Sequence, residues 1–525
     1  MKSFRNPILP GFHPDPSCII VDGVYYLATS SFLYSPGIPI YTSRDLVHWT
    51  QIGNVITRSS QLSLAKCTIR KGTKNCGGVW APTIRYHKGT FYVVATCVFP
   101  DKDFADHTRW ENHVWSTRNP HAHDAWSDGV RFDFPGYDTS LFWDENDGDR
   151  VYIQGALYWR VILSLNISET PIRITYLPRS KRVSHSTGRP IPEAPHMYHK
   201  DGWYYLLVAE GGTELDHCAT IARSRSVWGS FEECPDNPII HAASKDAYFQ
   251  TIGHADIFQS PEGQWFAVAL ATRDGRINFP MGRETILIPG QWEAGNWPAF
   301  NARVESVMKT SADPPPSLPS INENVLENFV RAGAETFWPH NLLRLRNPDE
   351  KAYQFTDGAL HLWPSTQGDT LDGRFGAPTF VARRQTAIEC TTEIEITLAS
   401  DTSVVAGLSV YLDFESHIDL VLTCSDTNSG LQAHIRQRTP TEVTSPDAGS
   451  VPVDSGALRV IAYEDRYEFF GWRNGAWVPI GTGLAKEVSG GFTGVVIGPY
   501  AEGSASNRSD DAKVTVKKWV YSEVA

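Results

Sequence analysis

The stretch DPSCIIVDGVYYLATS, residues 15–30, decides the fold, because its pattern returns four more times within the first 300 residues. A short apolar strand, a turn at Gly23 and a second strand rich in Tyr, Phe, Trp and Val are typical of a β-hairpin. The later copies begin at Ala81, Asp138, Glu193 and His254.

Successive copies start 55 to 66 residues apart, and helical periodicity is almost absent. Repeats of this kind favour sheets arranged radially, because each sheet buries its faces on its neighbours. We therefore predict an all-β chain whose residues 1–310 form a five-bladed β-propeller. The alternative is a β-sandwich with long loops.

A second domain is predicted after the propeller. The segment Asp313–Pro319, DPPPSLP, has the composition of a stiff, extended linker. Beyond it, strand patterns such as Ala387–Leu398 and Val404–Tyr411 are separated by turn signals. This pattern indicates an antiparallel β-sandwich over residues 322–525.

Composition narrows the class of partner. The formal net charge is −12 with no long basic run, which disfavours nucleic acid and favours a neutral substrate. No apolar stretch of bilayer length occurs, and the N-terminus lacks the apolar core of a signal peptide. We expect a cytoplasmic protein, or a secreted one if a signal has been removed. The eight cysteines include no C-x-x-C pair, so no zinc site is expected.

The first residues of the five copies are candidate site residues. Equivalent positions of a propeller converge around its axis, and here they hold Asp15, Ala81, Asp138, Glu193 and His254. A single acid at a strand start is ordinarily a turn or capping residue. Three together indicate acid–base chemistry, because clustering buried carboxylates is otherwise costly.

Three acids permit a division of labour. One takes a proton from water, one gives a proton to a leaving oxygen, and the third tunes the pKa of its neighbour. Asp15 lies between Pro14 and Pro16, which restrict its backbone and suit a fixed base. Glu193 has the longer side chain for reaching a glycosidic oxygen. The repeat alone leaves these assignments open.

Other residues near the copies offer a sugar-binding wall. Phe32, Trp80 and Trp159 suit stacking against sugar faces, or belong to the core. Arg283 suits hydrogen bonding to sugar hydroxyls, or forms a surface salt bridge. His254 suits a metal ion or ordered water, or is a satisfied core histidine.

Several motifs together resemble glycoside hydrolase family 43, and within it the two-domain β-xylosidases. In the propeller they are NPILPGFHPDPS (6–17), GGVWAPTIRY around Trp80, DTSLFWDENDG from Asp138, PEAPHMYHKDGWYYLLVAEGGT (192–213), GHADIFQ and MGRET. Near the C-terminus AGLSVYLDFESHIDLVL, TFVARRQ and FTGVVIG resemble the jelly-roll-like sandwich of that family.

The resemblance implies roles for the matched residues. Asp15 would be the general base, Asp138 the pKa modulator and Glu193 the general acid of a hydrolase that inverts configuration. Phe32, Trp80, Trp159, Thr213, His254 and Arg283 would line the pocket. Calcium or water in the channel near His254 is also implied.

One segment departs from the family pattern. Relatives often place a Phe from the sandwich over the active site in a TGAFVG-like strand. The matching segment here is Thr493–Gly498, with Val496 at that position. A wider pocket is therefore expected.

The leading hypothesis is an exo-acting β-xylosidase that releases D-xylose from the non-reducing ends of xylo-oligosaccharides. The alternative is an α-L-arabinofuranosidase, or a bifunctional enzyme, acting on arabinoxylan. A third reading is a non-catalytic propeller that only binds sugar.

Overall fold

The computed structural model of the protein describes residues 3–71, 76–157, 160–164, 166–169, 172–175, 181–183, 187–273, 280–300, 303–308, 321–332, 335–398, 403–424, 430–440, 449–503 and 510–523, with side chains excepted at 160–183 and 330–336. Helical structure in this part of the chain consists of short 3₁₀ turns at His107–Arg109, Glu145–Asp147, Val325–Asn328, Glu350–Ala352, Ala485–Val488 and Asp510–Ala512. None of these helices is long and apolar enough to cross a membrane.

Five antiparallel sheets follow one another along the first 300 residues, and each starts with the hairpin of one repeat. We number them sheets 1 to 5 in chain order. Sheet 1 contains Ser17–Val21, Val24–Ala28, Gly37–Ser43 and Thr50–Ile56. Sheet 2 contains Gly78–His87, Thr90–Val98, Trp110–Thr117 and Val130–Phe132. Sheet 3 contains Tyr137–Asp144, Arg150–Leu157, Arg160–Ser164 and Lys181–Val183.

The last two sheets repeat the same strand order. Sheet 4 contains Glu193–Lys200, Trp203–Glu210, Cys218–Ser224 and Glu232–Glu233, and Ile240–His241 also pairs with its third strand. Sheet 5 contains Phe249–Gln259, Trp265–Arg273, Glu284–Gln291 and Ala299–Phe300. The all-β class and the propeller arrangement are thus confirmed. The count of five blades around one axis stays a prediction.

The N-terminal segment is tied to the end of the propeller. Phe4–Arg5 pairs with Val307–Met308, and the Asn6 side chain makes hydrogen bonds to both backbone groups of Leu287 in sheet 5. Leu9 forms an isolated bridge with Thr285. The two ends of the propeller chain are therefore fastened to each other, which fixes sheet 1 relative to sheet 5.

Two further sheets form a sandwich after residue 321. One has the order Tyr353–Thr356, Ala359–Leu362, Val514–Glu523, Cys390–Thr397, Ala457–Ala462, Arg466–Arg473 and Ala476–Leu484, with Asn322–Asn324 beside Val514–Glu523. The other has the order Thr379–Phe380, Val496–Glu502, Val405–Asp413, Ser416–Cys424, Leu431–Arg438 and Val451–Val453, with Arg383–Arg384 beside Val496–Glu502. Between them lies a large apolar core. The predicted linker Asp313–Pro319 falls outside the described residues, and the boundaries 1–310 and 322–525 stay predictions.

The sandwich is docked onto the propeller by backbone contacts. Arg344–Leu345 pairs with Tyr34–Ser35, the short strand after Phe32. A shared apolar core joins the two parts and holds side chains of sheets 1 and 2 together with Leu345, Phe380 and Val496. The approach is close, because a Cβ atom at Gly494 would lie 2.4 Å from the Met281 carbonyl oxygen.

We predict that Gly494→Ala loosens this docking. The added methyl group would press on backbone atoms that have no rotamer in which to move away, and overpacking of this kind costs about 1–3 kcal/mol. A lower melting temperature is expected. Gly53→Ala is the control, because the nearest atom to its Cβ would be 3.9 Å away. Equal melting temperatures for both variants would contradict the close-docking account.

Candidate active site

A cavity of about 320 Å³ opens where the first strands of the five sheets meet. Its walls combine carboxyl groups, aromatic rings and one guanidinium group: Asp15, Phe32, Trp80, Ala81, Phe104, Tyr137, Asp138, Ile191, Glu193, Gly211, Gly212, Thr213, Glu214, His254, Arg283 and Phe492. Eight of the nine residues singled out from the sequence are therefore brought together. The ninth, Trp159, lies outside the described residues.

A repeated backbone irregularity aims these side chains into the cavity. Each sheet has a residue with a positive φ in or just before its first strand: 55° at Asp15, 38° at Ala81, 52° at Asp138, 50° at Ala194 and 49° at His254. In sheet 5 Thr251 has a positive φ as well, of 53°. In sheets 2 to 5 a β-bulge interrupts the ladder at the same place. Bulges re-aim side chains next to active sites, and left-handed backbone at non-glycine residues marks functional strain.

This geometry corrects the predicted equivalence of the five positions. Asp15, Ala81, Asp138 and His254 do share the left-handed position, but in sheet 4 that position belongs to Ala194. Glu193 comes one residue earlier, in line with Trp80 and Tyr137 of the neighbouring bulges. The shared Ala-Pro pair at 81–82 and 194–195 was the sequence signal for this offset.

Asp15 is held in its ionised form. Its carboxylate accepts hydrogen bonds from Ser30 Oγ at 2.6 Å and from Arg283 Nη1 at 2.9 Å and Nη2 at 3.3 Å. Burial by itself would raise the pKa of Asp15, but Arg283, His254 and Ser30 together bring that pKa below its ordinary value. The alternative that Arg283 forms a surface salt bridge is wrong. Arg283 is 5% exposed and pairs with Asp15 inside the cavity.

The pKa values of Asp138 and Glu193 are raised, in contrast to the lowered pKa of Asp15. Burial, and then the charge of Asp15, raises the pKa of Glu193 to about 7. Burial, and then the charge of Glu193, raises the pKa of Asp138 well above its ordinary value. Asp138 accepts a hydrogen bond from the Ala194 backbone N–H at 3.2 Å, which favours its ionised form. The cavity thus holds one ionised carboxylate and a pair of carboxyls that retains a proton.

The sandwich closes one wall of the cavity with Phe492. Its ring centroid lies 6.0 Å from that of Phe32 and 5.7 Å from that of Trp80, and the Arg283 guanidinium carbon lies 4.8 Å from the Phe492 ring centroid. Arg283 also donates a hydrogen bond from Nε to the Phe492 carbonyl oxygen at 3.0 Å. Val496 does not reach the cavity, because it is fully buried in the core between propeller and sandwich, and Phe492 supplies the aromatic wall. The expectation of a pocket wider than that of relatives stays a prediction.

Sequence reasoning missed six further wall residues besides Phe492: Phe104, Tyr137, Ile191, Gly211, Gly212 and Glu214. Tyr137 lies directly before Asp138, and Ile191 and Glu214 flank the motifs that hold Glu193 and Thr213. Their adjacency was the available signal. Phe104 comes from a loop in sheet 2, and nothing in the repeat places that loop over the cavity.

His254 lies beside Asp15, with its Nδ1 atom 3.7 Å from Asp15 Oδ1. Burial lowers the pKa of His254, so its imidazole is neutral at neutral pH. Calcium prefers six to eight oxygen ligands. The carboxylates whose charges act on His254, Asp15 and Asp256, are already bound by Arg283 and Arg85. No group of three metal-binding side chains occurs among the described residues. These donors do not fit a directly bound calcium ion, and the calcium site stays a prediction.

Comparison with known proteins supports the resemblance to glycoside hydrolase family 43 in both the propeller and the sandwich. A family model described as glycosyl hydrolases family 43 matches residues 4–298. A second model, described as a beta xylosidase C-terminal Concanavalin A-like domain, matches residues 334–519.

Three individual proteins are similar over almost the whole length. The chain is 33% identical to "Non-reducing end alpha-L-arabinofuranosidase BoGH43B" of Bacteroides ovatus, covering 97% of this chain and 93% of that one. It is 30% identical to "Xylosidase/arabinosidase" of Butyrivibrio fibrisolvens, covering 97% of both. The crystal structure of xylan beta-1,4-xylosidase from Bacillus halodurans superposes with a TM-score of 0.84 at 28% identity, covering 99% of this chain and 100% of the other.

We predict that Arg283→Met destabilises the protein at neutral pH. The substitution leaves the Asp15 carboxylate buried without its cation, and breaking a buried pair in this way costs about 3–5 kcal/mol. Because Arg283 lowers the pKa of Asp15, its stabilising effect is present above the unfolded pKa and is lost as the pH falls through the folded pKa. The urea midpoint should therefore drop at pH 7 and change much less in acid.

The matched control is the double variant Asp15→Asn/Arg283→Met, which removes both charges. It should regain most of the lost stability at pH 7. A double variant as unstable as the single one would show that the charge of Asp15 is not what Arg283 compensates.

Proposed function

We propose, because this chain belongs to glycosyl hydrolase family 43, that it is an exo-acting, inverting β-xylosidase that releases D-xylose from the non-reducing ends of xylo-oligosaccharides. The chain is a glycoside hydrolase. The observation that carries the proposed acid–base mechanism is the opposite pKa shift of Asp15 and Glu193 within one small cavity, and the relatives named as xylosidases support the choice of sugar. An ionised base and a protonated acid are what single-step hydrolysis of a glycoside requires.

Asp15 is the general base of this proposal. Its two oxygens are oriented by Ser30 and by the fork of Arg283, so the carboxylate keeps one geometry while it accepts a proton. A water molecule that gives this proton to Asp15 attacks the anomeric carbon from the face opposite the leaving group. The attack by water, rather than by the carboxylate, inverts the configuration.

Glu193 is the general acid. Its raised pKa keeps it protonated near neutral pH, and it gives that proton to the glycosidic oxygen as the bond to the anomeric carbon breaks. Burial and the charge of Asp15 are what keep the pKa of Glu193 high. Asp138 is the proposed modulator because it shares a proton with Glu193, and the Ala194 N–H fixes its orientation. Each carboxyl of the pair accepts one hydrogen bond, Asp138 from the Ala194 N–H and Glu193 from Tyr137, and we assign the shared proton to Glu193 as the general acid of this proposal.

The walls fit a terminal pentose. Phe32, Trp80 and Phe492 present aromatic surface, and Thr213 and Arg283 present polar groups. Aromatic faces suit the C–H faces of a sugar ring, and a few fixed polar groups orient its hydroxyls. Closure by the sandwich on one side supports exo-action, since a long chain has no straight path across the cavity.

A second candidate activity is α-L-arabinofuranosidase, alone or alongside the first. Two relatives that match 97% of this chain carry arabinofuranosidase or xylosidase/arabinosidase names. The same base and acid serve either pentoside, because the base and the acid act at the anomeric centre and its leaving oxygen, which both pentosides have. A non-catalytic, sugar-binding propeller is disfavoured, since binding alone needs no protonated acid beside an ionised base.

We predict faster hydrolysis of 4-nitrophenyl β-D-xylopyranoside than of 4-nitrophenyl α-L-arabinofuranoside. Asp15→Ala should lower kcat on both by at least about 10³-fold, because the attacking water loses its base. Proton NMR of the first product anomer should show inversion. Preference for the arabinoside would move the function to the second candidate, and activity retained by Asp15→Ala would refute the base assignment.

We further predict a bell-shaped pH dependence of kcat/KM. Activity should fall above about pH 7, where Glu193 loses its proton, and should persist well into acid, where Asp15 stays ionised. The hydrogen bond from Tyr137 lowers the pKa of Glu193, so Tyr137→Phe should move the alkaline limb to higher pH. Tyr86→Phe, an exposed tyrosine of sheet 2, is the control and should leave the limb in place. A limb that moves down in Tyr137→Phe would contradict this assignment.

A further inference from the structure

Phe104 is a large apolar side chain that remains 39% exposed while lining the mouth of the cavity. Exposure of a phenylalanine to water is unfavourable, about 25 cal/mol for each Å² of apolar surface. Sheet 2 nevertheless carries this ring to the edge of the candidate active site. A ring in this place suits a ligand that covers it.

The loop that carries Phe104 is held in one shape by its own contacts. Arg109 Nη1 donates hydrogen bonds to the carbonyl oxygens of Pro100 at 3.0 Å and Lys102 at 2.6 Å. Lys102 Nζ donates to the carbonyl oxygen of Thr108 at 2.7 Å. The Phe99 N–H closes the base of the loop on the Arg109 carbonyl oxygen at 3.0 Å. Such cross-bracing means that binding would cost little ordering entropy.

The loop is also fixed to the second domain. Asp101 forms an ion pair with Arg374 of the sandwich. The Arg109 guanidinium carbon lies 5.6 Å from the Phe104 ring centroid and 5.2 Å from that of Trp110. The ring of Phe104 is thus positioned from both parts of the chain.

The contacts of Phe104 mark the side of the cavity on which it lies. Its ring meets Tyr137 edge-on, with centroids 6.4 Å apart, and Trp110 edge-on at 5.1 Å. Tyr137 in turn is hydrogen-bonded to the Glu193 carboxyl. A general acid must reach the oxygen of the leaving group. Phe104 therefore lies on the leaving-group side, beside the acid.

We propose that Phe104 is the stacking platform for the sugar that leaves, and so a specificity-determining residue for oligosaccharides over small glycosides. The inference rests on the proposed function, because it takes Glu193 as the acid. The ligand class is a neutral pyranose unit whose C–H face covers the ring. The pentose that is released occupies the end of the cavity walled by Phe32 and Phe492, beside Arg283. Trp80 lies between the two ends, with its ring centroid 5.7 Å from that of Phe492 and 6.1 Å from that of Tyr137.

The test compares two substrates that share the released pentose and differ in the leaving group. The leaving group of xylobiose is a second xylose unit. The leaving group of β-D-xylopyranosyl fluoride is a fluoride ion, which is too small to touch Phe104. For Phe104→Ala we expect kcat/KM on xylobiose to fall about tenfold, the size of an aromatic stacking contribution. On the fluoride we expect kcat/KM of Phe104→Ala to change by less than about twofold, because no stacking contact to a leaving sugar is lost.

Two controls separate stacking from folding. Phe104→Tyr keeps the ring and should retain wild-type activity on xylobiose. Tyr86→Ala removes an equally exposed ring of sheet 2 and should leave both substrates unaffected.

An equal loss on both substrates in Phe104→Ala would show that Phe104 only supports the cavity and would overturn the inference. So would an unchanged rate on xylobiose. Wild-type protein that hydrolyses neither substrate would instead refute the proposed xylosidase, and the leaving-sugar site with it. If the wild-type protein hydrolyses both substrates and Phe104→Ala does not behave as expected, only the inference about Phe104 fails and the proposed xylosidase stands.

Discussion

The pairing of Arg283 with Asp15 is the interaction on which the rest of the site depends. Four carboxyl groups line the cavity, of which Glu214 is exposed and Asp15, Asp138 and Glu193 are not. Among the described lining residues, Arg283 is the one that is permanently cationic. Burial penalises every ionised group, so a single guanidinium cannot keep all three carboxyls charged. Arg283 lies on Asp15, which stays ionised, and the pair Asp138 and Glu193 keeps a proton as a consequence.

The same arginine explains why the second domain belongs to the site. Its Nε–H is satisfied by the Phe492 carbonyl oxygen, and its planar face lies against the Phe492 ring. Strand pairing between Tyr34–Ser35 and Arg344–Leu345, and the close approach of Gly494 to Met281, hold Phe492 at that position. The sandwich therefore acts on electrostatics as well as shape, because it excludes water from the side of Arg283 and strengthens the field at Asp15.

Much of this arrangement was predictable from the sequence, for a physical reason. Alternating strands and turn residues are local signals, and they repeat, so the all-β class and the propeller arrangement follow from residues 15–271 alone. Asp15, Asp138 and Glu193 lie at or beside repeated positions and were found by that means. What failed was one offset in sheet 4, where the left-handed residue is Ala194 and not Glu193. A β-bulge changes which of two neighbouring residues occupies a given position, and hydrophobic pattern does not record that choice.

Residues outside the repeat were not predictable in this way. The aromatic wall residue was sought at position 496, where the chain has Val496, but it is Phe492, four residues earlier. Only a three-dimensional contact shows which aromatic side chain of the sandwich reaches Arg283. Phe104 depends on hydrogen bonds from Arg109 and Lys102 within one loop and on an ion pair to Arg374. Contacts between distant segments are set by docking, so a sequence motif on one side gives no position for its partner on the other.

The division between carboxylates and walls also explains why one family contains enzymes named for different pentosides. In the proposed mechanism Asp15 acts on the attacking water and Glu193 on the leaving oxygen, and all these substrates are attacked at the anomeric carbon. Discrimination must then come from groups that touch the rest of the sugar, namely the aromatic walls and the loops that carry them. In this chain those walls come from sheet 1, sheet 2 and the sandwich, whose residues Phe32, Trp80 and Phe492 belong to the shared core. Substrate preference is thus free to change while the buried charges around Arg283 stay as they are.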